Sequence, residues 1–60
     1  MRAIVERVIG DGKLYAELAG SSNETKPVGT LIDGSLYLET DTGDVYVYNE
    51  TGESWTKIGG

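Results

Sequence analysis

Gly34-Ser35-Leu36-Tyr37-Leu38-Glu39-Thr40-Asp41-Thr42-Gly43-Asp44-Val45-Tyr46-Val47-Tyr48-Asn49 sets two alternating runs on either side of a Thr-Asp-Thr-Gly turn. A second turn, containing Thr51-Gly52, leads to Trp55 at the start of a third run. Period-two alternation broken by glycine-bearing turns marks antiparallel strands joined in series. The stretch predicts strands near 35–39, 44–48 and 54–58, forming a three-stranded antiparallel β-meander. No cluster of catalytic side chains interrupts it.

Leu36 and Leu38 share one face of the first of these strands, and Val45 and Val47 share one face of the second. Tyr37 falls on the opposite face of the first, Tyr46 and Tyr48 on the opposite face of the second. Which faces coincide depends on the turn. A loop of even length matches Leu with Val and Tyr with Tyr. A type I turn followed by a left-handed Gly43 and a bulge mixes the two sets. Glycine at the third position of Asp41-Thr42-Gly43 favours the mixed register. Both faces are then partly apolar, which predicts a sheet covered on both sides, one of them by a neighbouring subunit.

The N-terminal half begins with Arg2-Ala3-Ile4-Val5-Glu6-Arg7-Val8-Ile9, then Gly10-Asp11-Gly12. Asp-Gly after a β-branched run is a hairpin signal, because glycine tolerates the positive φ of a tight turn. Strands at about 2–9 and 13–19 follow. A three-residue loop would set Ile4 and Val8 beside Leu14 and Leu18. Lys13-Leu-Tyr-Ala-Glu-Leu-Ala19 also contains good helix formers, with Gly20 as a possible cap. Two helical turns are marginal alone, and strand is the favoured reading. Residues 20–30 are small and polar, and Pro27 disfavours helix at Lys26. They read as an exposed, flexible connector whose Pro-Val-Gly end anchors the second half. The expected organisation is a single all-β domain over 1–60: hairpin 1–20, connector 20–30 and meander 31–60.

Size and composition narrow the function. Sixty residues, 38% hydrophobic and without phenylalanine, barely suffice for one core. There is no cysteine for a disulfide staple and no histidine, the commonest zinc ligand. Small unstapled chains commonly gain burial by oligomerising, so a homo-oligomer is expected. A net charge of −5 with scattered Arg2, Arg7, Lys13, Lys26 and Lys57 argues against nucleic acid. No segment approaches the roughly 20 apolar residues that span a bilayer, so no membrane partner is expected. Charge arrives too early in Met1–Arg7 for a secretory leader, and the chain reads as a product folded in a cytoplasm. Without a secretory signal, the Asn23-Glu24-Thr25 and Asn49-Glu50-Thr51 sequons are chance matches.

Three constellations could carry chemistry. Asp41-Thr42-Gly43 spells the aspartic-protease triplet, in which paired carboxylates share a proton. Here Glu39-Thr40 precede it and Asp44 follows, which crowds charge, and a turn capped by Asp41 is the plainer reading. Glu39, Asp41, Asp44 and Glu53 could gather at one end of the meander as oxygen ligands for calcium, although their spacing matches no EF-hand. Gly10-Asp11-Gly12 lacks the Gly-Lys-Ser/Thr of a phosphate loop. The sequence therefore points to no catalytic residue, no metal and no cofactor. Trp55 and the tyrosines could form a sugar or peptide platform, but core and subunit contact suit them better in a chain without phenylalanine. The expected interface and core set is Tyr37, Tyr46, Tyr48, Trp55, Leu36, Leu38, Val45 and Val47, with Asp41, Thr42 and Gly43 as the turn.

The pattern Pro27-x-Gly29, Gly34-Ser-x-Tyr37, Glu39-Thr-Asp-Thr-Gly43, Tyr46-x-Tyr48-Asn49, Gly52, Trp55 resembles a short β-module of tailed-bacteriophage structural proteins. The likeness covers residues 27–58. Asp33-Gly34-x-x-Tyr37 with Gly52-x-x-Trp55 is also similar to the fibritin foldon, a hairpin trimerisation unit, although that unit has an N-terminal arm and fewer strands. The resemblance implies a non-enzymatic, trimeric building block of a virion, made in the host cytoplasm. A capsid decoration protein, head fibre or tail-fibre component, attached to a capsid or tail protein, is expected. The alternative is a small acidic regulatory or host-takeover protein that engages a basic partner.

Overall fold

The computed structural model describes all 60 residues and contains five strands with no helix. They are β1 (Arg2–Gly10), β2 (Lys13–Gly20), β3 (Leu36–Glu39), β4 (Val45–Asn49) and β5 (Ser54–Gly59). All lie in one sheet in the order β1-β2-β3-β4-β5. The all-β class, the N-terminal hairpin and the antiparallel meander are as the alternation predicts. Residues 13–19 are strand, because β1 on one side and the Leu31–β3 segment on the other give the backbone groups partners, where an isolated two-turn helix is marginal.

The first hairpin closes more tightly than expected. Gly10 pairs with Lys13, so the loop is Asp11-Gly12 alone. Both residues have positive φ, 53° and 73°, as a type I′ turn requires. Val8 sits opposite Leu14, as predicted. Ile4 instead falls at a bulge, and Leu18 faces Ala3.

The β3–β4 register also differs from the favoured reading. Leu36 pairs with Val47, Tyr37 with Tyr46 and Leu38 with Val45. The loop is Thr40–Gly43, closed by Glu39 N–H to Asp44 O and Gly43 N–H to Glu39 O, both 2.8 Å. Gly43 is left-handed, with φ 81°, but as the fourth loop residue instead of the third. An even loop keeps like side chains together, so the two faces are chemically distinct.

The two halves join through a parallel seam. β2 pairs with β3 in parallel, Leu18 opposite Tyr37 and Gly20 opposite Glu39. Before β3 begins, Leu31 forms a parallel bridge with Leu14, and Ile32 N–H donates to Leu14 O at 3.0 Å. Between these segments the buried Ser35 hydroxyl accepts the Ala16 N–H at 3.2 Å, filling the gap in the ladder.

Gly20 closes this seam. A Cβ there would overlap the Tyr37 hydroxyl and come within 3.0 Å of a Glu24 carboxylate oxygen. Tyr37 has no exposed surface and cannot swing aside. Gly20→Ala is expected to cost about 1–3 kcal/mol by overpacking. In a domain of this size that lowers the thermal midpoint by roughly 5–20 °C. An unchanged melt by circular dichroism would show that the seam is looser than drawn.

Candidate interaction surface

The register sorts the aromatic and aliphatic residues onto opposite faces. Tyr37, Tyr46, Tyr48 and Trp55 share one face, continued on β2 by Ala16 and Leu18. The residues between Gly20 and β3 cross this face. Trp55 Nε1–H donates to the Pro27 carbonyl at 2.9 Å, and Gly29 N–H donates to the Tyr48 hydroxyl at 2.9 Å. Leu31 packs with Ala16, Leu18, Tyr37 and Tyr48 as the core, and Leu14, Tyr46 and Trp55 pack against it. The Trp55 ring lies 5.0 Å from Tyr48 and meets Tyr37 edge-on at 5.9 Å.

The connector is therefore tied down instead of free. Of the aromatics expected in core or subunit contact, Tyr37 and Tyr48 are 0% and 2% exposed and belong to the core of the single chain, while Tyr46 and Trp55 are half-buried. Short hydrogen-bonded segments supply a cover that the composition of residues 20–30 gave no sign of.

Lys26 is the centre of that cover. Its Nζ stands 4.8 Å from the centre of the Tyr37 ring and 4.3 Å from that of Tyr46. It also donates to Glu39 Oε2 at 2.7 Å, with the two side chains 17% and 5% exposed. Ring faces and carboxylate together compensate the desolvated ammonium. Glu39 in turn accepts from the Thr42 hydroxyl at 2.8 Å.

The Asp41-Thr42-Gly43 turn is a clasp. Asp41 accepts from the Ser22 backbone at 2.9 Å and from the Ser22 hydroxyl at 2.7 Å, linking the turn to the start of the connector. The Thr42 hydroxyl also accepts the Asp44 N–H at 3.1 Å. Both Asp41 oxygens are thus engaged by one serine. A protease dyad instead needs a second carboxylate sharing its proton. The four carboxylates considered for calcium do not converge. Glu39 holds Lys26, Asp44 lies 3.5 Å from Lys57, and Glu53 sits in the β4–β5 turn at the other end of the meander. No three acidic side chains form a metal-holding group.

Three carboxyls in this cover lie below the ordinary range. Glu39 is lowered first by its Lys26 hydrogen bond and then by Thr42. Asp41 is lowered first by the Ser22 hydroxyl, and Glu24 by the N-terminal ammonium. A folded-state value below the unfolded one gives stability that is complete above the unfolded value and lost as pH falls through the folded one. Urea melts should therefore be flat down to about pH 5 and then weaken through pH 4 and below. Glu39→Gln should flatten that decline. At the other end, Lys26 is raised by Glu39 and Tyr37 by burial. Both contributions are present below about pH 10 and lost above it.

The second face carries the other half of the predicted set. Leu36, Leu38, Val45 and Val47 line up across β3 and β4, with Ala19, Glu17 and Tyr15 on β2 and Thr56 on β5. Val5 and Arg7 of β1 continue it, opposite Glu17 and Tyr15. A shallow groove at that end is lined by Val5, Arg7, Ile9, Tyr15, Glu17 and Ile32. Leu38 is 38% exposed and Ile9 54%, Leu36, Val45 and Val47 are half-buried, and Ala19 is buried.

No family model, curated protein or solved structure matches this chain.

The aliphatic face thus rests on its own geometry. Period two groups Leu36, Leu38, Val45 and Val47 once the loop length is known, but Val5, Ile9 and Ile32 were not among the predicted residues. They join through the β1 register and the Leu14–Leu31 bridge, neither of which has a local signal.

Proposed function

We propose that this chain is a non-enzymatic structural protein of a bacteriophage virion that acts by association. It self-assembles and attaches to a capsid or tail protein, as a decoration protein, head fibre or tail component does. The observation that carries the reading is the aliphatic sheet face, with Leu38 exposed and Leu36, Val45 and Val47 half-buried, opposite the aromatic face that the connector covers. A sheet with one apolar face uncovered is incomplete as a soluble unit, since exposed apolar surface of this kind marks an association site. Its resemblance to phage β-modules over residues 27–58 supports the virion setting, and similarity to the foldon supports three copies.

The alternative is a small regulatory protein that binds a basic partner. Its supporting observation is the net charge of −5, with carboxylates such as Asp11, Asp33 and Glu53 at exposed turns. Mass spectrometry of purified particles, followed by placing the chain in an electron-microscopy map, separates the two. Stoichiometric presence on the particle is the expected result. Absence from particles, with capture by a basic host protein, would favour the regulator.

A further inference from the structure

We infer that copies of this chain join edge to edge, β1 of one adding to β5 of the next. This rests on the reading of the protein as an assembly module, and it names the two edges and the partner. The contact is head to tail, because the two edges differ.

Direction comes first. β1 and β4 run one way and β2, β3 and β5 the other, so the two outer strands of the sheet are antiparallel. A second copy that continues the same sheet therefore meets β5 with an antiparallel β1. Hydrogen bonding comes next. Ala16 N–H donates to the Ser35 hydroxyl and Leu14 N–H to Thr30 O, both on the side away from β1. Their register partners, Glu6 and Val8, thus turn their own N–H and C=O to the free edge. Tyr48 likewise bonds Gly34 and Ser35, so Trp55 opposite it, and Lys57 two residues on, turn theirs outward from β5.

Side chains fix the register. Setting Glu6 against Lys57 also sets Val8 against Trp55 as a second hydrogen-bonded pair, with Arg7 against Thr56 between them. Carboxylate then faces ammonium, and Val8, 79% exposed, lies beside the half-buried Trp55. Lys57 is 55% exposed beside Asp44 and can bridge both carboxylates. Ile4 and Ile58, 58% and 60% exposed, come to the same end of the ladder. A shift of two residues either way puts Glu6 against Trp55 or Gly59 and loses the ion pair. Self-pairing of β1 is opposed by its own sequence. The strand is irregular at Ile4 and Ile9, so a two-fold ladder of more than one pair within Val5–Val8 centres on Glu6 or on Arg7. Each centre sets like charge against like. The edge that suits β1 is β5, and another copy brings it.

The chain has no cysteine, so introduced thiols report the ladder directly. Opposed residues that share no hydrogen bonds, as Arg7 and Thr56 would be, stand about 4.5 Å apart at Cα, within disulfide reach. In a glutathione redox buffer, Arg7→Cys mixed with Thr56→Cys should give a mixed disulfide dimer, and neither alone should cross-link. Sedimentation velocity over a concentration series adds the charge test. Glu6→Lys and Lys57→Glu should each weaken assembly by about tenfold or more, and the two together in one chain should restore it. All four positions are exposed in the single chain, and circular dichroism confirms that each variant is folded. Either cysteine variant cross-linking alone as readily as the mixture would overturn the inference. So would charge variants that assemble like wild type, or a double variant no better than the singles. A wild-type chain that stays monomeric at about 1 mM, the weak end of specific binding, would overturn it too. If that monomer attaches to particles, the inference falls and the virion reading stands. Edge-to-edge assembly by a chain absent from particles upholds the inference and removes the virion reading instead.

Discussion

Tyr37→Ala is expected to leave the chain unfolded at 25 °C. Tyr37 has no exposed surface and packs with Ala16, Leu18, Leu31 and Tyr48. Its ring meets the edge of Trp55 at 5.9 Å and supports the Lys26 ammonium at 4.8 Å. Truncating a buried aromatic side chain costs about 3–5 kcal/mol. A chain of 60 residues has roughly 3–9 kcal/mol in total. The loss also removes a ring face from Lys26, so the buried Lys26–Glu39 pair loses part of its support. Tyr37→Phe keeps the ring and gives up only the 3.3 Å hydrogen bond from its hydroxyl to Ser21 O, so it should remain folded. Far-ultraviolet circular dichroism of the two variants checks the contrast. A cooperative melt of Tyr37→Ala near the wild-type midpoint would place the centre of the core elsewhere.

Trp55→Ala is expected to fail through folding and not through docking. The sequence reading set Trp55 in the core or at a subunit contact. Its indole packs against Tyr37 and Tyr48, and its N–H donates to the Pro27 carbonyl at 2.9 Å. Removing it opens a cavity of aromatic size and frees the middle of the cover, a loss of about 3–5 kcal/mol. Trp55→Phe retains most of the packing and should lose about 1 kcal/mol with the hydrogen bond. Urea unfolding at two protein concentrations distinguishes the cases. A Trp55→Ala chain that is as stable as wild type yet dissociated would return this residue to the interface.

Strand positions were legible because side-chain period and turn residues are local. Leu36 to Glu39 and Val45 to Asn49 alternate, and Asp11-Gly12 announces its own turn. Loop length at Thr40–Gly43 was not legible, since a left-handed Gly43 serves a three- or a four-residue loop equally well. The outcome reflects Asp41 bonding to Ser22 and Thr42 to Glu39, contacts with residues that the turn sequence does not contain. In the β4–β5 turn the left-handed residue is Glu53, φ 48°, beside the glycine that seemed made for it. There Asn49 Oδ1 accepts from Thr51 and Gly52 N–H and sets the turn. Nor could alternation say which face the connector covers, because Leu/Val and Tyr sets are both apolar. That choice belongs to Pro27, Gly29 and Leu31, which meet the tyrosines only after the parallel seam has formed.

The seam has a kinetic consequence. Hairpin β1–β2 and the meander β3–β5 pair neighbours in sequence, and such hairpins form in roughly 1–10 μs. The β2–β3 ladder instead closes a loop spanning residues 21–35, and its entropy must be met before Leu18 reaches Tyr37. Neither local unit buries the core alone, since Ala16 and Leu18 lie on one side of that closure, Tyr37 and Tyr48 on the other, and Leu31 within the loop itself. Folding therefore has its barrier at the docking of two preformed ribbons. Substitutions at Leu18 or Tyr37 belong to that encounter and slow folding, whereas those at the far edge of β5 speed unfolding.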